Sequence, residues 1–462
     1  FMFLAIPVSL IYREGDFAVF LISGGITVVV GGISYYFSRD AEKSIYRREG
    51  YIIVSLGWIL FSLFGTLPFI ISGSIPSLTN AFFETMSGFT TTGASILDNI
   101  EGLSHSILFW RSLTQWIGGM GIIVLSLAIL PLLGIGGMQL FIAEVPGVTY
   151  DKLHPRIRGT AARLWLIYII FTLAETVLLW FGGMDIFDAV CHSFTTMATG
   201  GYSTKQASIG HWDSPFIQYV VIVFMIIAGT NFTISYFALH LRFDKVFKNE
   251  EFRYYIGFIV IFTLLIGTGL FLTMDIKPEE SFRISLFQVV SIMTTTGFVT
   301  SDYLSWISIL GILIFFLMFF GGSAGSTGGG VKIMRVVLLI KNSALELKRL
   351  IHPNAVIPVR FNRQLLDPQI ITNVLAFISF YLIIIVISML GMSALGYDLD
   401  TSLGAVTTCI GNIGPGIGSV GPMSNFNHIP DIGKWFLSLL MLIGRLELFT
   451  VLVLFSPEFW RK

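Results

Sequence analysis

MTTTGFVT, Met293–Thr300, is a short polar run with one glycine, set between two apolar segments. Three other stretches echo it: TTTGAS at Thr90–Ser95, MATGGYS at Met197–Ser203 and CIGNIGPG at Cys409–Gly416. Four copies of one small motif imply four copies of one structural unit. Aligning Gly93, Gly200, Gly297 and Gly414 spaces the copies roughly a hundred residues apart, far longer than a solenoid period. Such spacing suits duplicated membrane modules arranged about a common axis.

Working outward, each run has the same flanks. A span leaves, a stretch too short to cross follows, then the polar run, then a span returns. In the first copy these are residues 51–72, 79–89 and 107–133, the last ending at Pro131. The second copy uses 164–182, 186–197 and 215–239; the third 254–274, 281–293 and 305–340; the fourth 369–391, 401–410 and 432–456. Residues 1–12 are apolar but short, and 17–37 form one further span. The chain therefore divides into an N-terminal helix pair (1–50) and pore repeats at 51–150, 151–250, 251–367 and 368–462. The expected fold is an all-α polytopic membrane protein: two N-terminal transmembrane helices, then four pseudo-symmetric repeats around a central pore. The chain opens at Phe1 rather than methionine, so the native start is expected upstream, and no cleavable signal peptide is read.

Composition agrees. The 462 residues are 54% hydrophobic and only 12% charged, against about 25% charged in a soluble domain. Many apolar stretches reach the roughly 20 residues that cross a bilayer. Net charge is zero, but unevenly placed. Arg39, Lys43, Arg47 and Arg48 mark one cytoplasmic loop, Lys152, Arg156, Arg158 and Arg163 a second, and Arg242, Lys245, Lys248 and Arg253 a third. The stretch 341–367 adds Lys341, Lys348, Arg349, Arg360 and Arg363. On the opposite side acids outnumber bases; Glu84, Asp98, Asp188, Asp302 and Asp398 lie near the expected outer mouth, where together they would concentrate cations. The two cysteines, Cys191 and Cys409, are too few for a disulfide framework or thiolate metal site and read as packing residues.

The polar runs carry the chemistry. Non-helical backbone cannot face lipid, because its amides and carbonyls would go unpaired; it is tolerated at membrane depth only inside protein or beside a water-filled cavity. Four such segments therefore belong at a shared centre. A cation shedding water needs replacement oxygens, and carbonyl rings supply them without fixed charge. Glycine permits the dihedrals that turn carbonyls inward, and threonine hydroxyls can add an oxygen layer. Short helices aimed with their C-terminal ends at the centre also favour cations. The candidate filter residues are Thr91, Thr92 and Gly93; Ala198, Thr199 and Gly200; Thr295, Thr296 and Gly297; and Asn412, Ile413 and Gly414. The fourth copy departs from the rest, with Asn412 and Ile413 where the others carry small residues.

Two further features stand out. GGSAGSTGGG at residues 321–330 contains Gly321, Gly322, Gly325, Gly328, Gly329 and Gly330. Each glycine costs a helix about 1 kcal/mol relative to alanine, so this run should break the third returning span in mid-membrane and line the cavity beneath the filter. A close-packing surface is the alternative, but packing needs small residues on one face only. A phosphate-loop reading fails, because Val331 displaces the lysine to Lys332 and no Ser or Thr follows it. Arg445 lies about half-way along an apolar span. An arginine so deep costs at least about 2.5–3.5 kcal/mol and faces the interior or a water path. It could form a structural ion pair with Glu175 or Glu447, though Glu447, two positions on, lies on another helical face. The alternative is that Arg445 and residues 321–330 together form a constriction.

The runs FETMSGFTTTGAS, CHSFTTMATGGYST, FQVVSIMTTTGFVT and CIGNIGPGIG resemble the four filter segments of the Trk/Ktr/HKT superfamily of potassium transporters. The N-terminal spans and GGSAGSTGGGVK make the chain most similar to its bacterial TrkH branch, and the resemblance covers essentially the whole sequence. It implies a K+-conducting pore of fourfold pseudo-symmetry, working as a homodimer in the bacterial inner membrane. It also implies a cytosolic nucleotide-binding ring, TrkA, as regulatory partner, for which the basic cytoplasmic face would be a docking surface. In this superfamily glycine at all four filter positions accompanies potassium selectivity, and serine in the first repeat accompanies sodium transport; Gly93 holds that first position. Residues 321–330 would be an intramembrane loop that blocks the pore and moves on activation, with Arg445 projecting beside it. K+ is then the transported ion, held at the filter residues, and neither an organic cofactor nor a nucleic acid is implied.

Other classes explain less. A proton- or sodium-coupled potassium symporter would want a buried titratable site, and Glu175 and Glu447 are the deep acids available. An intramembrane enzyme finds no metal-ligand spacing and no paired carboxylates at a span end, and would not require four repeats.

Overall fold

A computed structural model describes residues 1–40, 47–128 and 157–461. It is all-α apart from a two-residue hairpin pairing Arg360–Phe361 with Gln364–Leu365. Among the described residues, five helices are long and apolar enough to cross a membrane: Phe17–Ser38, Arg48–Ile71, Ala161–Phe181, Glu250–Thr273 and Pro368–Ala394. The last four are the outgoing spans of the four repeats. The basic residues Lys43, Lys152 and Arg156, and the end of the first return at Pro131, lie outside the described residues.

Four shorter helices follow the outgoing spans: Leu78–Phe89, Ile186–Met197, Pro278–Met293 and Leu399–Gly411. These pore helices begin on local sequence signals. The Ser77 side chain caps the first and Asp185 the second, while Pro278 opens the third with a φ suited to a first turn. Each is buried on nearly every face at its C-terminal half, so all four sit among protein rather than lipid. Among the described residues two large apolar cores hold the bundle, beside a small third one at Tyr51 and Phe459. One is built mostly from repeats two and three, the other mostly from the N-terminal helices and repeats one and four. Cys191 and Cys409 are buried free thiols, as packing residues should be.

The returning spans differ from their sequence expectation. The third was expected to break and does: helix Ser308–Leu317 gives way to residues 318–332, and Ile333–Ile351 resumes. The second and fourth were read as continuous, but both bend sharply. Pro215–Ala228 turns by 113° into Phe232–Leu239, and Asp431–Arg445 by 115° into Phe449–Phe455. The second bend falls at Gly229-Thr230-Asn231, where the Asn231 carboxamide accepts from Thr233 N (2.8 Å) and starts a new helix. The fourth falls at Glu447 and Leu448, both with positive φ (59° and 42°). Apolar composition hid both breaks, because one polar residue or a pair of strained dihedrals suffices where neighbouring helices re-satisfy the freed backbone.

Candidate functional site

The four polar runs share one backbone path. After each pore helix comes a residue in the left-handed region: Thr91 (φ 52°), Thr199 (53°), Thr295 (60°) and Asn412 (53°). The following N–H donates back five residues: Thr92 to Ser87 O (2.8 Å), Gly200 to Thr195 O (2.8 Å), Thr296 to Ser291 O (2.9 Å) and Ile413 to Thr408 O (3.0 Å). Then comes a glycine with positive φ: Gly93 (82°), Gly201 (76°), Gly297 (81°) and Gly414 (104°).

This corrects the alignment of the second repeat. Gly201, not Gly200, is the counterpart of Gly93, and Ala198 sits one place earlier, at the helix end, where the other repeats have Thr90, Thr294 and Gly411. Two adjacent glycines look alike in sequence; only their dihedrals separate them. The divergent fourth copy, by contrast, keeps the shared backbone through Asn412, a residue that tolerates the left-handed region well.

The segments also close into a ring. A Cβ placed on Gly93 would run into the carbonyl oxygen of Gly200, one on Gly201 into that of Thr296, and one on Gly297 into that of Ile413. A Cβ on Gly414 would lie 3.0 Å from the carbonyl oxygen of Thr92, completing the circuit. Each repeat's glycine thus lies against the carbonyl before the glycine of the next. Gly93, Gly201, Gly297 and Gly414 all line one open cavity of about 90 Å³.

Beside this cavity the acids expected to draw cations are largely committed to structure. Glu84 is buried and accepts from Arg111 Nε (2.6 Å), Ser95 Oγ (3.0 Å) and Ile96 N (3.0 Å). Asp188 accepts from Thr204 (2.7 Å) and lies 3.6 Å from Lys205. Asp98 holds Asn425 (2.7 Å) and Asn427 (2.6 Å), and Asp302 caps Leu304 N (3.0 Å). Asp398 stands at the N-cap of the fourth pore helix without a side-chain cap bond.

On the other side, at the C-terminal ends of the pore helices, lies the glycine-rich segment. Its neck closes on itself, Gly321 N donating to Val331 O (2.8 Å) and Ile333 N to Gly322 O (3.2 Å). Gly329 N donates to Thr295 Oγ1 (2.7 Å), and Thr327 Oγ1 donates to Met197 O (3.0 Å). Side chains at Gly328 and Gly329 would meet Thr294 O and Gly411 O. The segment therefore touches repeats two, three and four directly under their filter runs. It also fills the bend of the second return: Ser323 N donates to Gly229 O (2.8 Å) and Phe232 N to Gly325 O (3.2 Å).

Arg445 ends its helix against this segment. Its Nη1 donates to Thr327 O (2.7 Å) and its Nη2 to Gly118 O of the first return (3.0 Å). It is 2% exposed, and its described hydrogen bonds go to carbonyls, not carboxylates. Glu447 instead pairs with Arg335 (2.7 Å). Glu175 is fully buried, with the Thr196 hydroxyl beside its carboxylate. Lys332 donates to Gly328 O, inside the loop itself. Partial negative charge from the helix C-termini and carbonyls thus meets two cations in one small volume.

Sequence reasoning missed Gln115, which reaches from the first return to the second filter run: its Nε2 donates to Gly200 O (2.7 Å) and its Oε1 accepts from Tyr202 N (3.1 Å). The one available signal was the Gly200-Gly201 doublet, whose spare glycine had no assigned use.

Residues 17–462 match the model of the TrkH family, described as cation transport proteins. The chain is 45% identical to the Trk system potassium uptake protein TrkH of Escherichia coli K12, over 98% of this chain and 95% of that protein. It is 35% identical to the Trk system potassium uptake protein TrkG of the same organism, over 98% and 94%. The crystal structure of the potassium transporter TrkH from Vibrio parahaemolyticus superposes with a TM-score of 0.91 at 40% identity, covering 100% of this chain and 96% of that one. The protein is thus a multi-pass membrane transporter, not an enzyme, and it belongs to the TrkH family of cation transport proteins.

Proposed function

We propose that the chain is the K+-selective pore of a Trk-type uptake system in the bacterial inner membrane. The observation that carries this reading is the closed circuit in which each filter glycine lies against the preceding carbonyl of the next repeat. Four equivalent strands of carbonyls about one axis are what a dehydrating cation needs, and relatives at 45% identity carry potassium uptake in their names. The segment 321–330 with Arg445 is the gate. Supporting this, the segment touches three repeats next to their polar runs and is held by hydrogen bonds to a threonine hydroxyl and to carbonyls, which a modest displacement can exchange. Its opening is controlled by a cytosolic nucleotide-binding subunit of the TrkA kind, and the pore works as a homodimer.

Flow is passive in this account. Glu175, a fully buried acid beside the Thr196 hydroxyl, is the one observation that favours proton coupling instead. The two are separated in liposomes by reversal potentials under imposed proton and potassium gradients: the passive pore follows potassium alone. Selectivity is tested by K+ against Na+ flux in wild type and Gly93→Ser. Wild type should pass K+ in strong preference, and Gly93→Ser should admit Na+. Equal passage of the two ions by wild type rejects the filter reading.

A further inference from the structure

Three of the four filter runs are braced by their own side chains. In repeat one, the hydroxyls of Thr90 and Thr92 bond to each other (2.8 Å), and Thr90 Oγ1 is anchored on Met86 O of the pore helix (2.6 Å). Repeat three repeats this with Thr294 and Thr296 (2.7 Å) and Val290 O (2.7 Å). Repeat four has Gly411 and Ile413 at those positions, and its Asn412 instead donates to Thr92 Oγ1 (2.9 Å) and Met441 O (3.0 Å). Repeat two has Ala198 and Gly200, with no hydroxyl at either place. Its brace is Gln115, borrowed from repeat one.

The geometry of this borrowing is specific. The carboxamide grips the backbone on both sides of Gly201, the residue whose positive φ defines the filter turn. A Cβ on Gly200 would collide with that carboxamide. The doublet therefore divides its work: Gly201 supplies the dihedral and Gly200 supplies the space for Gln115. The contact also reaches a carbonyl of the ring, because Gly200 O is the oxygen against which Gly93 lies. A carbonyl oxygen has two lone pairs, so one can accept from Gln115 while the other remains for an ion.

We infer that Gln115 is a positioning residue for ion selectivity. It replaces the missing threonine pair of repeat two and fixes where the Gly200 carbonyl stands. This inference rests on the filter reading above. Selectivity between ions of one charge depends on the placement and field of the ring oxygens, so loss of the grip should blur K+ against Na+ more than it lowers flux.

The test uses the full chain in liposomes, with the K+/Na+ permeability ratio taken from bi-ionic reversal potentials and thermal unfolding in detergent as a check on folding. Gln115→Leu should lower the ratio about fivefold, the worth of one hydrogen bond, with K+ flux largely kept. Gln115→Glu keeps the shape but can donate to Gly200 O only when protonated. Its ratio should therefore be high in acid and fall as the pH rises. A wild-type ratio in Gln115→Leu overturns the inference. Should that variant not fold, a wild-type ratio in Gln115→Glu at every pH overturns it equally. If wild type itself fails to prefer K+, or Gly93→Ser changes nothing, the filter reading fails instead, so the two failures are distinct.

Discussion

The filter layer and the layer at the pore-helix ends are built on opposite plans. In the filter, four sequences as different as TTTG and GNIG adopt one backbone, down to the sign of φ at two positions in each copy. In the layer beneath, the described parts of the returns share only a sharp bend, of 113° in the second and 115° in the fourth, made at unlike residues. The first return is helical through Ala128, the second bends at Asn231, the third opens into a ten-residue glycine-rich stretch and the fourth bends just past Arg445. Coordinating a bare ion demands equivalent oxygens on every side, so divergence there is constrained by geometry. Switching demands one element that can move against others that stay, and equivalence would be a hindrance. The shared backbone belongs to the proposed filter, and the unlike returns to the proposed gate.

The largest effect should come from breaking that symmetry within the glycine doublet. Alanine at Gly201 must hold φ near 76°, at a cost of about 1–2 kcal/mol, and its Cβ would meet a rigid backbone carbonyl. K+ flux through Gly201→Ala should fall at least about tenfold. Gly200→Ala meets only the flexible end of Gln115 and should keep most of its flux. Equal loss in both, measured side by side in liposomes, would undo the assignment of register.

Next comes the asymmetric layer. Arg445→Ala removes a buried cation that lies against the glycine-rich segment, along with its ties to Thr327 O and Gly118 O. K+ conductance should rise several-fold. Unchanged flux would mean that Arg445 only fastens the helix and does not constrict the path.

A smaller effect is expected at the second bend. Asn231→Ala loses the cap on Phe232–Leu239, worth about 1 kcal/mol, and loosens the cleft that Gly325 enters. Thermal unfolding should shift down by a few degrees, while the K+/Na+ ratio stays put. A change in that ratio would show that the two layers are not separable.

The smallest lies outside both layers. Glu14, in the turn before the first long span, accepts from His105 N (2.8 Å), His105 Nδ1 (2.6 Å) and Ser106 N (3.1 Å). Burial alone would raise its carboxyl, but these donors outweigh it and hold it below the usual 4.5. A carboxyl lowered by folding stabilises the protein above its unfolded value and loses that contribution as pH falls through the folded one. Glu14→Gln should therefore unfold slightly earlier at neutral pH and show a shallower loss of stability below about pH 4.5. Ion selectivity should not move.

Most of the fold was legible because its signals are long. Apolar stretches of bilayer length and a polar run repeated four times locate the repeats without help. The broken third return was legible as well, since Gly321 through Gly330 cannot stay helical. What escaped was whatever depended on one residue or one dihedral. The second and fourth bends rest on Asn231 and on Glu447–Leu448, inside sequences apolar enough to read as straight spans. The register of repeat two rests on which of two glycines has positive φ. Glu84 and Asp188 read as mouth acids, because charge counts do not reveal that Arg111 or Thr204 lies within hydrogen-bonding reach. Gln115 was invisible for the same reason: its partner, Gly200, is distant in sequence and contributes only backbone.

The proposed pore requires the carbonyls of Thr92, Gly200, Thr296 and Ile413 to surround one cation site. Crystals of the full chain grown in thallium, a K+ substitute with strong anomalous scattering, test it without any assay of flux. An anomalous peak is expected within that ring, at coordination distance from all four oxygens, and excess K+ but not excess Na+ should displace it. A ring empty of thallium, with the ion bound elsewhere, would contradict it.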